Sequence, residues 1–459
     1  MDRRLIWLLV GLCGAASAAQ AAPAIYRGGR LVHFEPDGPP VMDAGEAADS
    51  QEEVSSPGPH GSDVYDDEGY VPDMGYGGHG AYGMNGCDSC GCGSCDCGSC
   101  CDPCGCDSCG HGGCGGQFWG RGEWLYWWLR ASDAPPLVTT EPNGGVLPEA
   151  HSLFGPGNVD GQGRSGARVT IGYWLDDCET AGFEGNVWGF DPAGTFFHAQ
   201  SDGSGTPLLA RPFTDRTGGA DLGPNAVQIS IPGSVAGTIN VQSSSELLGA
   251  EANFRRLLHG NCRHRLHMLA GYRFFRLDES LRVDTSSTGI GQSPQFNIDV
   301  TDEFGTSNQF HGGQLGVIAE WKHCRWTLET LAKLAVGAMS QEVAVHGQTT
   351  TTAGGSTAVN SGGFLALDSN IGTHDRSRYS MIPEFGVNLR CEVSCLWTAS
   401  VGYSFMYVTN VARPADQIDL NLDTNQFPPA IASGTFPRSQ FNDEDVWLQG
   451  LNLGIECRF

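Results

Sequence analysis

Gly450-Leu451-Asn452-Leu453-Gly454-Ile455-Glu456-Cys457-Arg458-Phe459 closes the chain with an apolar residue at every second position back from a terminal Phe. The residues between are Gly, Asn, Glu and Arg. A period of two is that of a β-strand, here with one oily face and one wet face. A soluble sandwich and a closed barrel can both end on such a strand, so the rest of the chain has to separate them.

The same alternation recurs upstream. Val169, Ile171, Tyr173 and Leu175 oppose Arg168, Thr170 and Asp176; Leu266, Met268, Ala270, Tyr272 and Phe274 oppose His267 and Arg273; Trp326, Leu328, Ala332, Leu334 and Val336 oppose Glu329 and Lys333. Ten strands are expected near 118–130, 167–176, 180–190, 247–258, 265–277, 310–322, 325–339, 378–390, 396–408 and 446–459, each long enough for a tilted strand to cross a bilayer. Short turns at 177–179, 259–264, 323–324 and 391–395 alternate with long Gly-, Ser-, Thr- and Asn-rich connections. Short turns on one rim and long loops on the other belong to an outer-membrane barrel with an even strand count. The expected fold is therefore all-β: a closed antiparallel transmembrane β-barrel of about ten strands, preceded by a disordered N-terminal arm. The loops from Asp191 to Ser245 and from Gln341 to Ser377 read as flexible and external. Trp124, Tyr126, Trp127 and Trp128, with Tyr403, Phe405 and Tyr407, read as rings at the water–lipid boundary. In this fold Phe459 is the assembly signal read by the barrel-assembly machinery, and membrane lipid is the surrounding partner.

The N-terminus supports export. Met1-Asp2-Arg3-Arg4 precedes the apolar run from Leu5 to Gly14, followed by Ala16-Ser17-Ala18 and Ala19-Gln20-Ala21. A basic start, short apolar core and small-residue cleavage site make residues 1–21 a signal peptide. No later stretch offers some twenty apolar residues, so a membrane-embedded mature chain has to cross with strands. The formal net charge is −26, and Lys322 and Lys333 are the only lysines, which speaks against nucleic-acid binding. Residues 22–86 are acidic and rich in Gly and Pro, the composition of a disordered arm. Residues 87–116 form a Cys/Gly tract, and 117–459 carry the folded part.

The tract holds Cys87, Cys90, Cys92, Cys95, Cys97, Cys100, Cys101, Cys104, Cys106, Cys109 and Cys114, mostly at the C-x-x-C spacing of thiolate metal ligands. Export to an oxidising compartment favours disulfides within and between chains over soft-metal binding or mere compositional bias. Eleven is odd, leaving a thiol for another partner, and a flexible tether to envelope proteins follows. The other mature cysteines, Cys178, Cys262, Cys324, Cys391, Cys395 and Cys457, all fall at short turns or the closing strand's end. Neighbouring turns favour Cys178–Cys262, Cys324–Cys391 and Cys395–Cys457 among fifteen connectivities.

Glu123-Trp124-Leu125-Tyr126-Trp127-Trp128, Pro135-Pro136-Leu137-Val138-Thr139-Thr140, Leu153-Phe154-Gly155, Arg164-Ser165-Gly166-Ala167-Arg168, Gly172-Tyr173-Trp174-Leu175-Asp176, Leu248-Gly249-Ala250-Glu251-Ala252-Asn253 and Gly271-Tyr272-Arg273 occur in that order. In this succession the chain resembles the beta barrel porin-7 family from about residue 118 to the end. The resemblance implies an outer-membrane barrel and carries over no catalytic residue, cofactor or substrate.

The expected inward set is Arg168, Glu184, Glu251, Arg255, Arg273, Glu320, Glu329, Lys333, Glu384, Arg390 and Glu456. Both signs are present, and ten strands enclose a narrow space. Buried ions are tolerable only when paired, so the lumen is expected to be mostly filled, giving a structural, envelope-anchoring or binding role without catalysis or cofactor. A narrow diffusion porin is the competing expectation. A surface hydrolase is the remote one, resting on His151, His198, His346 and His374 near Asp160, Asp202, Asp368 and Asp375. No GxSxG, HExxH or P-loop pattern accompanies them.

Overall fold

In a computed structural model of the chain, the residues described are 26–27, 30–31, 117–176, 179–261, 263–291, 295–394, 396–427 and 434–459. The signal peptide and the cysteine tract lie outside them. Tyr26–Arg27 and Arg30–Leu31 form a small antiparallel pair of their own.

From residue 118 onward the architecture is all-β. The main sheet has twelve strands, of which ten make up its ring: β1 (Phe118–Leu129), β2 (Gly163–Trp174), β3 (Ala181–Phe190), β4 (Val235–Gly260), β5 (His264–Gly289), β6 (Phe296–His323), β7 (Trp326–Ala353), β8 (Gly372–Glu392), β9 (Trp397–Val411) and β10 (Glu444–Arg458), while the short strands Phe196–Gln200 and Ser356–Ser361 add to β4 and β7. Each of the ten pairs antiparallel with the next in the chain, β3 passing directly to β4 through partners such as Phe183 and Phe254. The last strand returns to the first, with Leu451 opposite Tyr126 and Gly454 opposite Glu123. Every one of the ten thus has two hydrogen-bonded neighbours, and the ladder is cyclic. Such an arrangement removes the unpaired edges of an open sheet.

Register fixes which residues face out. Ile171, Phe183, Val187, Leu315, Phe385 and Ile455 are all more than half exposed, while the residues between them turn inward. This outer band is apolar on every side of the ring. Trp124 is also exposed, with its indole N–H donating to Ser165 at 2.7 Å. Trp127 corrects the boundary assignment: it is 1% exposed, because strict alternation puts it on the inner face with Leu125 and Leu129. Among the described residues no helix is long and apolar enough to cross a membrane, which says nothing of strands.

The two long connections also depart from expectation. β4 and β5 each run 26 residues and β6 and β7 each run 28, more than twice what a bilayer crossing needs. The ladder therefore continues through much of what reads as loop, since Val235 to Ser245 and Gln341 to Ala353 keep the period of two with Ser, Thr and Gln on the outer face. Parts of other connections fold onto the inner side of these extensions. Val138–Thr140, His151–Phe154, Leu209–Asp215, Gly223–Ser230 and Asn421–Leu422 make a second small sheet drawn from three connections. Leu209, Phe213 and the run Phe364–Leu367 are buried with Ile239, Val241, Leu281, Val283, Phe304 and Val345 in one apolar cluster.

Candidate functional site: the ring interior

The interior of the ring is layered. Nearest the short turns, Arg121 bonds Glu456 at 2.8 Å, and Arg390 bonds Glu456 at 2.7 Å and Glu329 at 3.0 Å. Arg255 bonds Glu320 at 2.8 Å and reaches Glu184 at 3.8 Å. One step up, Arg273 bridges Glu251 and Glu384, Lys333 bonds Glu251 at 2.7 Å, and Arg168 meets Glu123 at 3.5 Å. Four of these contacts join non-adjacent strands: Arg390 with Glu456, Arg255 with Glu320, Arg273 on β5 with Glu384 on β8, and Lys333 with Glu251. The others join neighbours, Arg121–Glu456, Arg168–Glu123 and Arg273–Glu251 being direct register partners. The four that skip a strand reach through the space inside the ring, while the neighbour pairs lie along its inner wall. Gln314 extends the network by donating to Glu251 at 3.0 Å.

The structure places all eleven residues of the expected inward set in this network. It adds Arg121 and Glu123, which the aromatic stretch around them obscures in the sequence. The signal that finds them is the alternation Trp119, Arg121, Glu123, Leu125, Trp127, Leu129. His267 sits in the same layer, fully buried, its ring 5.9 Å from that of Trp174.

Above the ions the inner face becomes apolar. Leu125, Trp127, Trp188, Phe275, Phe310, Met339 and Met406 form a buried layer across the ring. Glycine makes room for the large rings: a Cβ on Gly450 would stand 2.3 Å from Trp127, and one on Gly249 would stand 2.2 Å from Trp188. Trp127 donates its indole N–H to Asn452 at 2.8 Å, and the Arg168 guanidinium lies 5.5 Å from its ring centroid. The tryptophan thus joins the ionic layer to the apolar one.

A second polar belt follows. Arg413 is paired with Glu279 at 2.8 Å, and Asp160 accepts from Ser243 at 2.6 Å. Over it lies the apolar cluster formed with the connections. Its anchor is Asp302, fully buried on β6. One carboxylate oxygen accepts the backbone N–H groups of Phe364, Leu365 and Ala366 at 2.8, 2.9 and 2.9 Å, and the other accepts from Arg211 at 2.5 Å. The Arg211 guanidinium stacks 4.6 Å from the Phe364 ring centroid.

The loop residues of the hydrolase expectation are not brought together. Among the described residues none of His151, His198, His346 and His374 hydrogen-bonds or ion-pairs with Asp160, Asp202, Asp368 or Asp375. His198 bonds Asn240 at 2.7 Å, and Asp202 caps its own turn through Ser204 and Thr206. Phe459 is exposed, its backbone N–H donating to Phe118 at 2.9 Å.

Cysteine pairing needs correction. Cys324 is disulfide-bonded, while Cys391 and Cys457 are free thiols, so neither Cys324–Cys391 nor Cys395–Cys457 forms. The reason lies in the register: Cys391 and Cys457 stand beside Arg390 and Glu456, which point inward, so both thiols turn to the outer face. Cys178 and Cys262 lie outside the described residues, as does Cys395.

Comparison with solved structures finds the outer membrane protease OmpT from Escherichia coli, at 10% identity and a TM-score of 0.33, covering 74% of this chain and 96% of that one. It also finds a TodX monoaromatic hydrocarbon channel mutant, at 11% identity and a TM-score of 0.21, covering 75% and 91%. No curated protein matches. The family model described as "Putative beta barrel porin-7" matches residues 119–459. The order of motifs, the cyclic ten-strand ladder and this match over most of the chain agree, and the chain belongs to the beta barrel porin-7 family.

Proposed function

We propose that this is an outer-membrane β-barrel with a structural, envelope-anchoring or binding role, whose lumen is closed by its own side chains. The observation that carries the reading is the stack inside the ring: ion pairs, four of them reaching between non-adjacent strands, an apolar layer over them, and connections packed above. The membrane setting is supported by the apolar outer band opposite buried ions, an arrangement a water-exposed sheet would invert. It is supported as well by membership of a family of barrel porins. The anchoring role is carried by the cysteine tract, whose residues lie outside those described; its support is the C-x-x-C spacing and the export signal. No catalytic role is assigned, since the loop His and Asp residues are apart.

The family's description as porins favours one second reading, a narrow diffusion channel. The charged layers would then line a path instead of filling it.

Membrane fractionation with heat-modifiable gel mobility tests the setting. The chain is expected in the outer-membrane fraction, with an unboiled band that migrates differently from the boiled one. A water-soluble protein with a single band would contradict it. Non-reducing gels before and after deletion of residues 87–116 test the tether: crosslinked species should vanish with the tract.

A further inference from the structure

We propose that the turns joining β4 to β5 and β6 to β7 form a docking arc for anionic phospholipid headgroups in the leaflet that borders the short-turn rim. The inference rests on the membrane reading above. Arg256, Arg263 and Arg325 are exposed, and among the described residues no carboxylate pairs with any of them. His259, His264, Lys322 and His323 are exposed beside them, Lys322 being held by Glu392 at 2.8 Å. The two turns are neighbours: the Lys322 N–H donates to the Arg263 carbonyl at 2.8 Å, and His264 pairs with Trp321.

In a chain of net charge −26, unpaired cations gathered on one arc are a specific feature. The next turn along the same rim is acidic, and its Glu179 is already engaged by Arg265 and Arg458. The occupant follows from continuity with the apolar band. Trp321, Trp326 and Leu258 are 42%, 49% and 55% exposed at the foot of the same strands. Tryptophan prefers the boundary between hydrocarbon and water. An arginine just beyond such a ring stands at the level of the lipid phosphates, which its guanidinium can bind through two N–H donors.

The test uses the full-length chain in phosphatidylcholine vesicles containing a minor fraction of phosphatidylglycerol. The readout is the ratio of the two lipids that co-purify after mild detergent extraction. The wild type should carry phosphatidylglycerol above the bulk ratio, with each arginine contributing at most about fivefold and the excess falling as salt rises. The triple variant Arg256→Ser, Arg263→Ser, Arg325→Ser should return to the bulk ratio while keeping its heat-modifiable mobility. Arg378→Ser, at the other end of the ladder, should leave the excess unchanged.

Three results would overturn the proposal. One is an equal excess in the triple variant. Another is no excess in the wild type. The third is an excess seen only when Asp63, Asp66, Asp67 and Glu68 are neutralised in the full chain, which would assign the arc to the chain's own acidic arm. Loss of heat-modifiable mobility in the wild type would instead sink the membrane reading itself.

Discussion

Below Leu125 the interior of the ring is made of ions that the ten strands supply themselves. Above Leu281 it is made largely of aliphatic and aromatic side chains, many from the connections. The lower filling is addressed by pairs such as Arg273 with Glu251 and Glu384, where any member left alone would be a buried charge. The upper filling is addressed by shape, with Asp302 and Arg211 as its polar fastening. The two should differ in how they fail: loss of a lower ion strains the whole ladder, whereas loss of an upper anchor releases one segment.

The largest expected effect belongs to the lower layer. Arg273→Met leaves two buried carboxylates with Lys333 as their remaining cation, and should cost about 3–5 kcal/mol of barrel stability, read as a lowered denaturant midpoint in lipid. Adding Glu251→Gln and Glu384→Gln should recover most of it. If the single variant is neutral, the ions are hydrated and the lower lumen is wet.

A smaller loss is expected when charge is placed on the opposite face at the same height. Ile171→Arg puts a cation on the 67%-exposed outer surface, and should cost about 2–4 kcal/mol in a bilayer. Little change would argue that this face meets water. Asp302→Ala in the upper filling should cost less, about 1–3 kcal/mol, because the freed segment can open and rehydrate. Amide exchange should quicken at residues 363–367 and stay unchanged at the lower ion pairs; uniform quickening would erase the contrast between the halves.

The smallest effect is a pH dependence in the connection after β9. Burial, together with repulsion from Glu444 and Glu279 and against the pull of Arg413, pushes the Asp416 carboxyl up to about 6. A raised carboxyl pKa means that the folded segment favours the protonated form. Its contribution is therefore complete below the ordinary value near 3.8 and is lost as pH rises through about 6. Exchange at Ala412 to Ile418 should thus slow as pH falls across that window, after correction for intrinsic rates, and Asp416→Asn should abolish the trend.

These contrasts explain what was legible in the sequence. The ten strands and the lower ions can be read because outward and inward residues there differ in chemistry as well as in period. Arg121, Glu123 and Trp127 are harder, since four aromatics in five residues hide the alternation. The upper filling is nearly silent: Leu209, Phe213 and Phe364–Leu367 are brief apolar spots in polar stretches, with no sustained period. Their burial depends on strands far away in the chain, such as Phe304 and Val345. Disulfide pairing was not legible because a turn's position does not say which way a cysteine points, as Cys391 and Cys457 show.

The central claim is that nothing wide enough for solutes passes through the ring. Single-channel recording of the purified full-length chain in planar bilayers tests it most directly. The filled lumen predicts a quiet trace or rare, brief, small events, unchanged by voltage within the stable range of the bilayer. Large, long-lived conductance steps in protein of verified heat-modifiable mobility would contradict it and establish an open pore.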